Sequence, residues 1–165
     1  MVYHKTINLQ SKGLNPTYHE VTEKVKEIVA ESGIKNGICV VYSPHTTCSV
    51  MIQECSHDVN YWGTEFLQQD LNNILEKIIP TCRTQGQYMH PGPKHIEFAE
   101  NEVGEDACFS LNTDAHLRSV LFGRSESIVI VDGELQLGQF GRIYFVDWDQ
   151  VRARKRVCQV QVLGE

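Results

Sequence analysis

Apolar and polar positions follow two rhythms along this chain, one with a period near two and one near 3.6 residues. Residues 4–10 read as a short strand closed by Ser11-Lys12-Gly13. Asn15-Pro16-Thr17 then opens a helix, with Thr17 and Glu20 spaced as a capping box. Val21, Val25, Ile28 and Val29 supply its stripe, and Ser32-Gly33 stops it. The β-branched run 37–43 predicts a strand ending at Pro44-His45, and residues 49–53 alternate as its antiparallel neighbour. Val59, Trp62, Phe66, Leu67, Leu71, Ile74, Leu75 and Ile78 recur at helical spacing, which predicts a helix from Asp58 to Ile79, ended by Pro80.

Residues 81–105 keep no steady period and carry Gly86, Pro91, Gly92, Pro93 and Gly104. The stretch exceeds the ~12–15 residues of ordinary loops, which marks it as a functional loop or an inserted flap. Residues 107–111 predict a short strand, and 115–122 a short helix stopped by Gly123. Asp132-Gly133 between Ile128–Val131 and Leu135–Leu137 is a hairpin signal. Strands at 142–148 and 156–163 follow, the last alternating Cys158, Val160 and Val162 against Gln159 and Gln161. With no internal repeat, this order predicts one α+β domain over residues 1–165, a mostly antiparallel sheet or sandwich with two to three helices.

Composition narrows the class of function. The chain has 165 residues, 41% of them hydrophobic, enough for one sizeable core but too few for the roughly 250 residues of an eight-fold β/α barrel. Its formal net charge of −6 argues against nonspecific nucleic-acid binding, which depends on phosphate neutralisation by Lys and Arg. One basic patch stands apart at Arg152–Arg156. The longest apolar runs fall far short of the roughly 18 residues of a membrane span, and MVYHKTINLQ has no signal-peptide core. The six cysteines form no C-x-x-C pair, and Cys39 and Cys158 sit in strand contexts as small hydrophobes. The expectation is a cytoplasmic, reduced protein with no nucleic-acid or membrane partner.

Candidate chemistry gathers at a few places. His45-Thr46-Thr47-Cys48-Ser49 puts an imidazole and four hydroxyl or thiol groups at a strand end, which suits binding of an oxyanion; the plain alternative is a turn that satisfies its own backbone. Asp70 falls within the apolar stripe of its helix, where a carboxylate must be paired, bind a metal or shift its pKa; the alternative is an edge position. His45, His90 and His116 lie in unusual contexts, and three imidazoles with an open position make a catalytic zinc set, although nothing local requires them to meet. Cys48 is a weak candidate nucleophile. Asp147 and Asp149, followed by Arg152, Arg154 and Arg156, could hold a divalent cation and phosphate groups, or form a solvated turn.

Taken in order, these segments resemble the YjbQ-type (UPF0047) family. The resemblance rests on His45-Thr46-Thr47, Glu54, Asp70-Leu71, Tyr88-x-His90, Asn112-x-x-Ala115-His116-Leu117, Gly123, Asp132-Gly133-x-Leu135-x-Leu137-Gly138 and Asp147-x-Asp149-x-x-Arg152-x-Arg154. It covers nearly the whole chain from about residue 5. The chain departs at Gln139-Phe140-Gly141 and Gln150-Val151, and it carries extra residues around 61–69 and 91–105. The resemblance implies a sandwich-like α+β fold, a homotrimer, and a pocket built from His45, Thr46, Thr47, Asp70, His90, Asn112 and His116.

Some members of that family are described as secondary thiamine-phosphate synthases, which join a pyrimidine methyl diphosphate to a thiazole phosphate with loss of pyrophosphate. On that expectation His45, Asp70 and His116 are the catalytic candidates. Thr46, Thr47, Asn112, Arg152 and Arg154 would bind substrate, with Arg152 the foremost phosphate contact. A divalent metal, Zn or Mg, would sit on His45, His90 and His116. Two alternatives stay open: a His-ligated, metal-dependent hydrolase or lyase on a small phosphorylated metabolite, and a non-catalytic trimeric metabolite-binding protein.

Overall fold

The computed structural model describes residues 1–165. The alternating segments pair into two antiparallel sheets. β1 (Val2–Gln10), β8 (Lys155–Gly164), β3 (Gly37–Tyr42), β5 (Ser125–Val131) and β6 (Glu134–Leu135) form a five-stranded sheet in that order. β2 (Thr17–Glu20), β7 (Gly141–Asp147) and β4 (Cys48–Glu54) form a three-stranded one. Asp132 and Gly133 take φ values of 52° and 84° and close the β5–β6 hairpin, where only a residue tolerant of left-handed backbone fits.

Alternation decides which side chains meet between the sheets. Ile7, Cys39, Val41, Ile128, Ile130, Cys158, Val160 and Val162 from the larger sheet face Cys48, Val50, Ile143 and Phe145 from the smaller. The fold is therefore the expected α+β antiparallel sandwich. α1 (Thr22–Ser32) adds Val25, Ile28 and Val29 to the same core. The other rows of β4 and β7 carry Met51, Tyr144 and Val146, which pack with Trp148 against Leu75 of α2 (Phe66–Ile78) and Ala115 of α4 (Thr113–Phe122). No helix is long and apolar enough to cross a membrane.

Local signals were overridden in three places. Thr17–Glu20 is strand β2, because it pairs with β7 from Thr17–Asp147 to Glu20–Tyr144, and α1 starts only at Thr22. The long helix begins at Phe66, not Asp58. Asn60 Oδ1 accepts from the N–H groups of Trp62 and Thr64 and Gly63 takes φ 78°, so residues 60–64 turn back before Glu65 and Gln68 cap α2. Residues 107–110 form a 3-10 turn capped by Asp106, not a strand. Within 81–105, Pro93–Phe98 form α3, which continues as a π-helical turn over Ala99–Val103.

Candidate functional site

The connection from β3 to β4 sets the floor of the site. Ser43 is buried and its Oγ accepts from the His45 N–H at 3.2 Å, which fixes how the chain leaves the strand. The Val157 N–H donates to His45 Nε2 at 3.0 Å. A neutral ring accepting there carries its proton on Nδ1. His45 is held below the ordinary imidazole pKa by burial, and by Arg156 and Arg154 nearby, with Asp147 opposing.

A buried ionic cluster stands beneath. Asp147 and Asp149 are fully buried at the end of β7. Arg156 Nε donates to Asp147 Oδ2 at 2.7 Å, and its Nη2 donates to Thr47 Oγ1 at 3.0 Å. Arg154 Nε lies 3.4 Å from Asp149 Oδ2, an ion pair out of hydrogen-bond alignment. Asn112, at the N-terminus of α4, donates from Nδ2 to Asp149 Oδ2 at 3.3 Å. Each carboxylate also accepts a backbone N–H, Asp149 to Asp147 and Val151 to Asp149, both at 3.0 Å. Both acids are thus paired with guanidinium groups and backbone N–H donors.

Above this cluster opens a cleft of about 380 Å³. His45, Thr46, Thr47, Asn112, His116, Arg154 and Arg156 line it, so seven of the residues named from sequence converge. α3 and the turn after it cover one side with His95, Phe98, Ala99 and Val103, which gives the aperiodic stretch its place. His116 is held below the ordinary imidazole value by burial and by His90, an effect partly offset by the Thr46 backbone. His90 is lowered by burial and by His95. The rings form a chain, His95 to His90 with centroids 4.5 Å apart and His90 to His116 at 5.7 Å.

Other expected members lie elsewhere. Asp70 is exposed on α2 and outside the cleft. The buried side of that helix is narrow, with only Gln68 and Leu75 fully enclosed, while Phe66, Ile74 and Ile78 stay open. Arg152 does not line the cleft; it pairs with Glu105 and stacks over Phe109 with Cζ 4.3 Å from the ring centroid. It thereby braces two residues that do. Cys48 is fully buried and its thiol pKa is pushed up by burial and Asp147, so it is a packed side chain and not a nucleophile. No group of three or more His, Cys, Asp or Glu side chains is disposed to hold a metal ion. His90 is not among the residues that line the cleft; its ring meets that of His116 nearly edge-to-face, at 84°.

Sequence reasoning placed Arg156 only within a basic run, without its partner, and passed over His95. Arg156 had a legible signal: it belongs to the same inward row as Cys158, Val160 and Val162, where a charge requires a partner. His95 gave none, since its place depends on how α3 folds over the cleft.

The model of the family described as UPF0047 protein YjbQ-like matches residues 5–165. The chain belongs to that family. This UPF0047 protein is 30% identical over 146 residues to UPF0047 protein MJ1081 of Methanocaldococcus jannaschii, covering 88% of this chain and 84% of the relative. It is 27% identical over 146 residues to UPF0047 protein YugU of Bacillus subtilis, covering 88% of each. Among solved structures, a YbjQ-like protein of unknown function from Sulfolobus solfataricus matches with a TM-score of 0.73 and 25% identity, covering 100% of this chain and 99% of that one. An uncharacterised YjbQ/UPF0047 protein from Clostridium acetobutylicum matches with a TM-score of 0.68 and 30% identity, covering 95% and 99%.

Proposed function

We propose that the cleft binds a small phosphorylated metabolite and acts on it as a thiamine-phosphate-synthase-like transferase. The observation that carries this is the meeting of Thr46, Thr47, Arg154 and Arg156 with His116 in one cleft. Hydroxyls and guanidinium groups around one open cleft are the donor set that phosphate oxygens take. In the reaction, the thiazole nitrogen forms a bond to the pyrimidine methylene, the carbon–oxygen bond breaks, and diphosphate leaves with the electron pair. Arg154 and the threonine hydroxyls would stabilise the leaving oxygens, where negative charge grows in the transition state. His45 and His116, both neutral, would hold the two substrates without adding charge. Asp70, outside the cleft, takes no part in this reading.

The test is turnover of pyrimidine methyl diphosphate with thiazole phosphate, with and without Mg²⁺, beside calorimetry with pyrophosphate. Product above an enzyme-free control, lost in Arg154→Ala, supports the proposal. Pyrophosphate binding without product leaves the non-catalytic metabolite-binding protein. Neither binding nor product overturns the whole reading.

A second reading is favoured by the ring contacts of His95, His90 and His116, since His90 and His116 are held in the neutral form that zinc-type ions prefer. On it the protein is a metal-dependent hydrolase or lyase. Metal analysis of untagged protein tests this: one equivalent of transition metal, lost in His116→Ala, supports it, and metal-free active protein removes it. The homotrimer is also proposed. Ile38 and Val129 are paired across β3 and β5 and point outward with Val131, an apolar patch that a second copy would cover. Sedimentation as a monomer at micromolar concentration would refute it.

A further inference from the structure

The larger of the two main clefts, about 420 Å³, shares no residue with the histidine site. Six of its twelve lining residues are carboxamides: Asn15, Asn60, Gln69, Asn72, Asn73 and Gln150. We propose that this cleft is a second binding site and that its ligand is a small sugar, free or singly phosphorylated.

A carboxamide offers a donor and an acceptor on one rigid plane, which matches neighbouring hydroxyls that each donate and accept. An ion would call for charge, whereas here most of the lining is neutral. The amides are also set in advance. Asn60 Nδ2 donates to Gln69 Oε1 at 2.9 Å, and Gln69 Nε2 donates to Asn73 Oδ1 at 2.9 Å. That relay runs one way and ends on the Asn73 NH₂ as a donor. Tyr18 OH donates to Asn72 Oδ1 at 2.8 Å, so Asn72 likewise turns its NH₂ outward. Gln150 Nε2 donates to Thr81 Oγ1 at 3.1 Å, which leaves its oxygen as the acceptor. Groups already held in place lose little freedom when a ligand arrives.

Two independent observations point to an occupant. Arg118 lines the cleft with its side chain only 1% exposed, and its Nε is buried with no hydrogen-bond partner. Its Nη2 is engaged with Glu76, the Ile79 carbonyl and Thr81, and its Nη1 lies 3.9 Å from Asp114 Oδ2, so Nε is a buried donor that no protein group satisfies. Trp62 is 71% exposed at the rim, carried on the Asn60–Gly63 turn with Tyr61 edge-on at 5.4 Å. An open indole face beside polar amides suits a sugar ring, which has one apolar C–H face and a hydroxylated edge. Arg83 in the same lining would meet a phosphate if the sugar carries one.

The chain has two tryptophans, Trp62 at the cleft and the fully buried Trp148, so a Trp62→Phe variant run in parallel assigns any fluorescence change on ligand binding to the rim indole. Titration of the full chain with glucose, ribose and their monophosphates should give a saturable change with at least one of them. By calorimetry, Asn72→Ala and Asn73→Ala should each weaken that binding about fivefold. His116→Ala, in the other cleft, should leave it unchanged, so failure here is separable from failure of the transferase reading. No saturable signal with any of the four overturns the proposal. So does an equal signal from inorganic phosphate alone, or unchanged binding in both asparagine variants.

Discussion

Arg156 and Asp147 join the two sheets of the sandwich through a buried ion pair, Nε to Oδ2 at 2.7 Å. Arg156 is 6% exposed and Asp147 is fully buried. Each occupies the inward row of its strand, β8 for the arginine and β7 for the aspartate, at the end of the core where the apolar residues stop. The pair therefore lies at the boundary between packing and chemistry: one side faces Cys48 and Phe145, the other the cleft.

Breaking only one partner should be costly. Arg156→Leu leaves Asp147 charged in a site closed to water, and such losses run to about 3–5 kcal/mol out of a total stability of roughly 5–15. Chemical denaturation should show that fall for Arg156→Leu and a similar one for Asp147→Asn. The double variant Arg156→Leu/Asp147→Leu should recover part of it. If the double variant loses as much as the two singles added together, the pair is not coupled.

Arg154 and Arg152 should separate binding from bracing. Arg154→Ala should weaken pyrophosphate binding about tenfold with little loss of stability, because its side chain lines the cleft and is partly open. Arg152→Ala should lower stability by about 1 kcal/mol, since it removes the guanidinium from the Phe109 face. It should weaken binding less than Arg154→Ala does. The reverse ranking by calorimetry would restore Arg152 as the main anion contact.

Stability should fall on acidification through the imidazole range. His45, His90 and His116 all have folded pKa values below the ordinary 6.5, foremost because burial disfavours the charged ring. The unfolded chain then binds more protons than the folded one between those values and 6.5, and stability rises with pH in that window. It should be level above about pH 7 and decline below 6.5. His116→Gln should make the decline shallower. Melting temperatures from pH 8 to 5.5 check this, and an unchanged slope in the variant would refute the assignment. Asp114 acts oppositely but lower, because burial raises its pKa above the ordinary carboxylate value.

Thiol chemistry should follow burial. Cys108 is exposed and Cys55 half-buried, while Cys39, Cys48, Cys82 and Cys158 are enclosed. The Cys39 and Cys158 thiols are pushed up to about 12 by burial. Native protein mixed with a neutral thiol reagent should label Cys108 first and Cys55 more slowly, with Cys48 labelled only after unfolding. Rapid labelling of Cys48 in the folded state would reopen it as a nucleophile.

Sequence by itself determined the sheets and most of their inward rows. Side chains on a strand alternate strictly, so Cys158, Val160 and Val162 announce one face, and Asp132-Gly133 announces a turn that needs left-handed backbone. It also named seven of the residues lining the cleft, because the strand end at His45–Thr47, the helix start at Asn112 and the basic run before β8 are local events. Tertiary structure decided the rest. A helical stripe says which residues lie on one side but not how wide a contact the neighbour offers, so Asp70 reads as buried and is exposed. Thr17–Glu20 carries a helix cap by spacing and becomes a strand because β7 supplies its hydrogen bonds. The partner of Arg156 and the approach of His95 are long-range contacts, set by how two sheets and one flap close over the same space, and no local pattern encodes such a meeting.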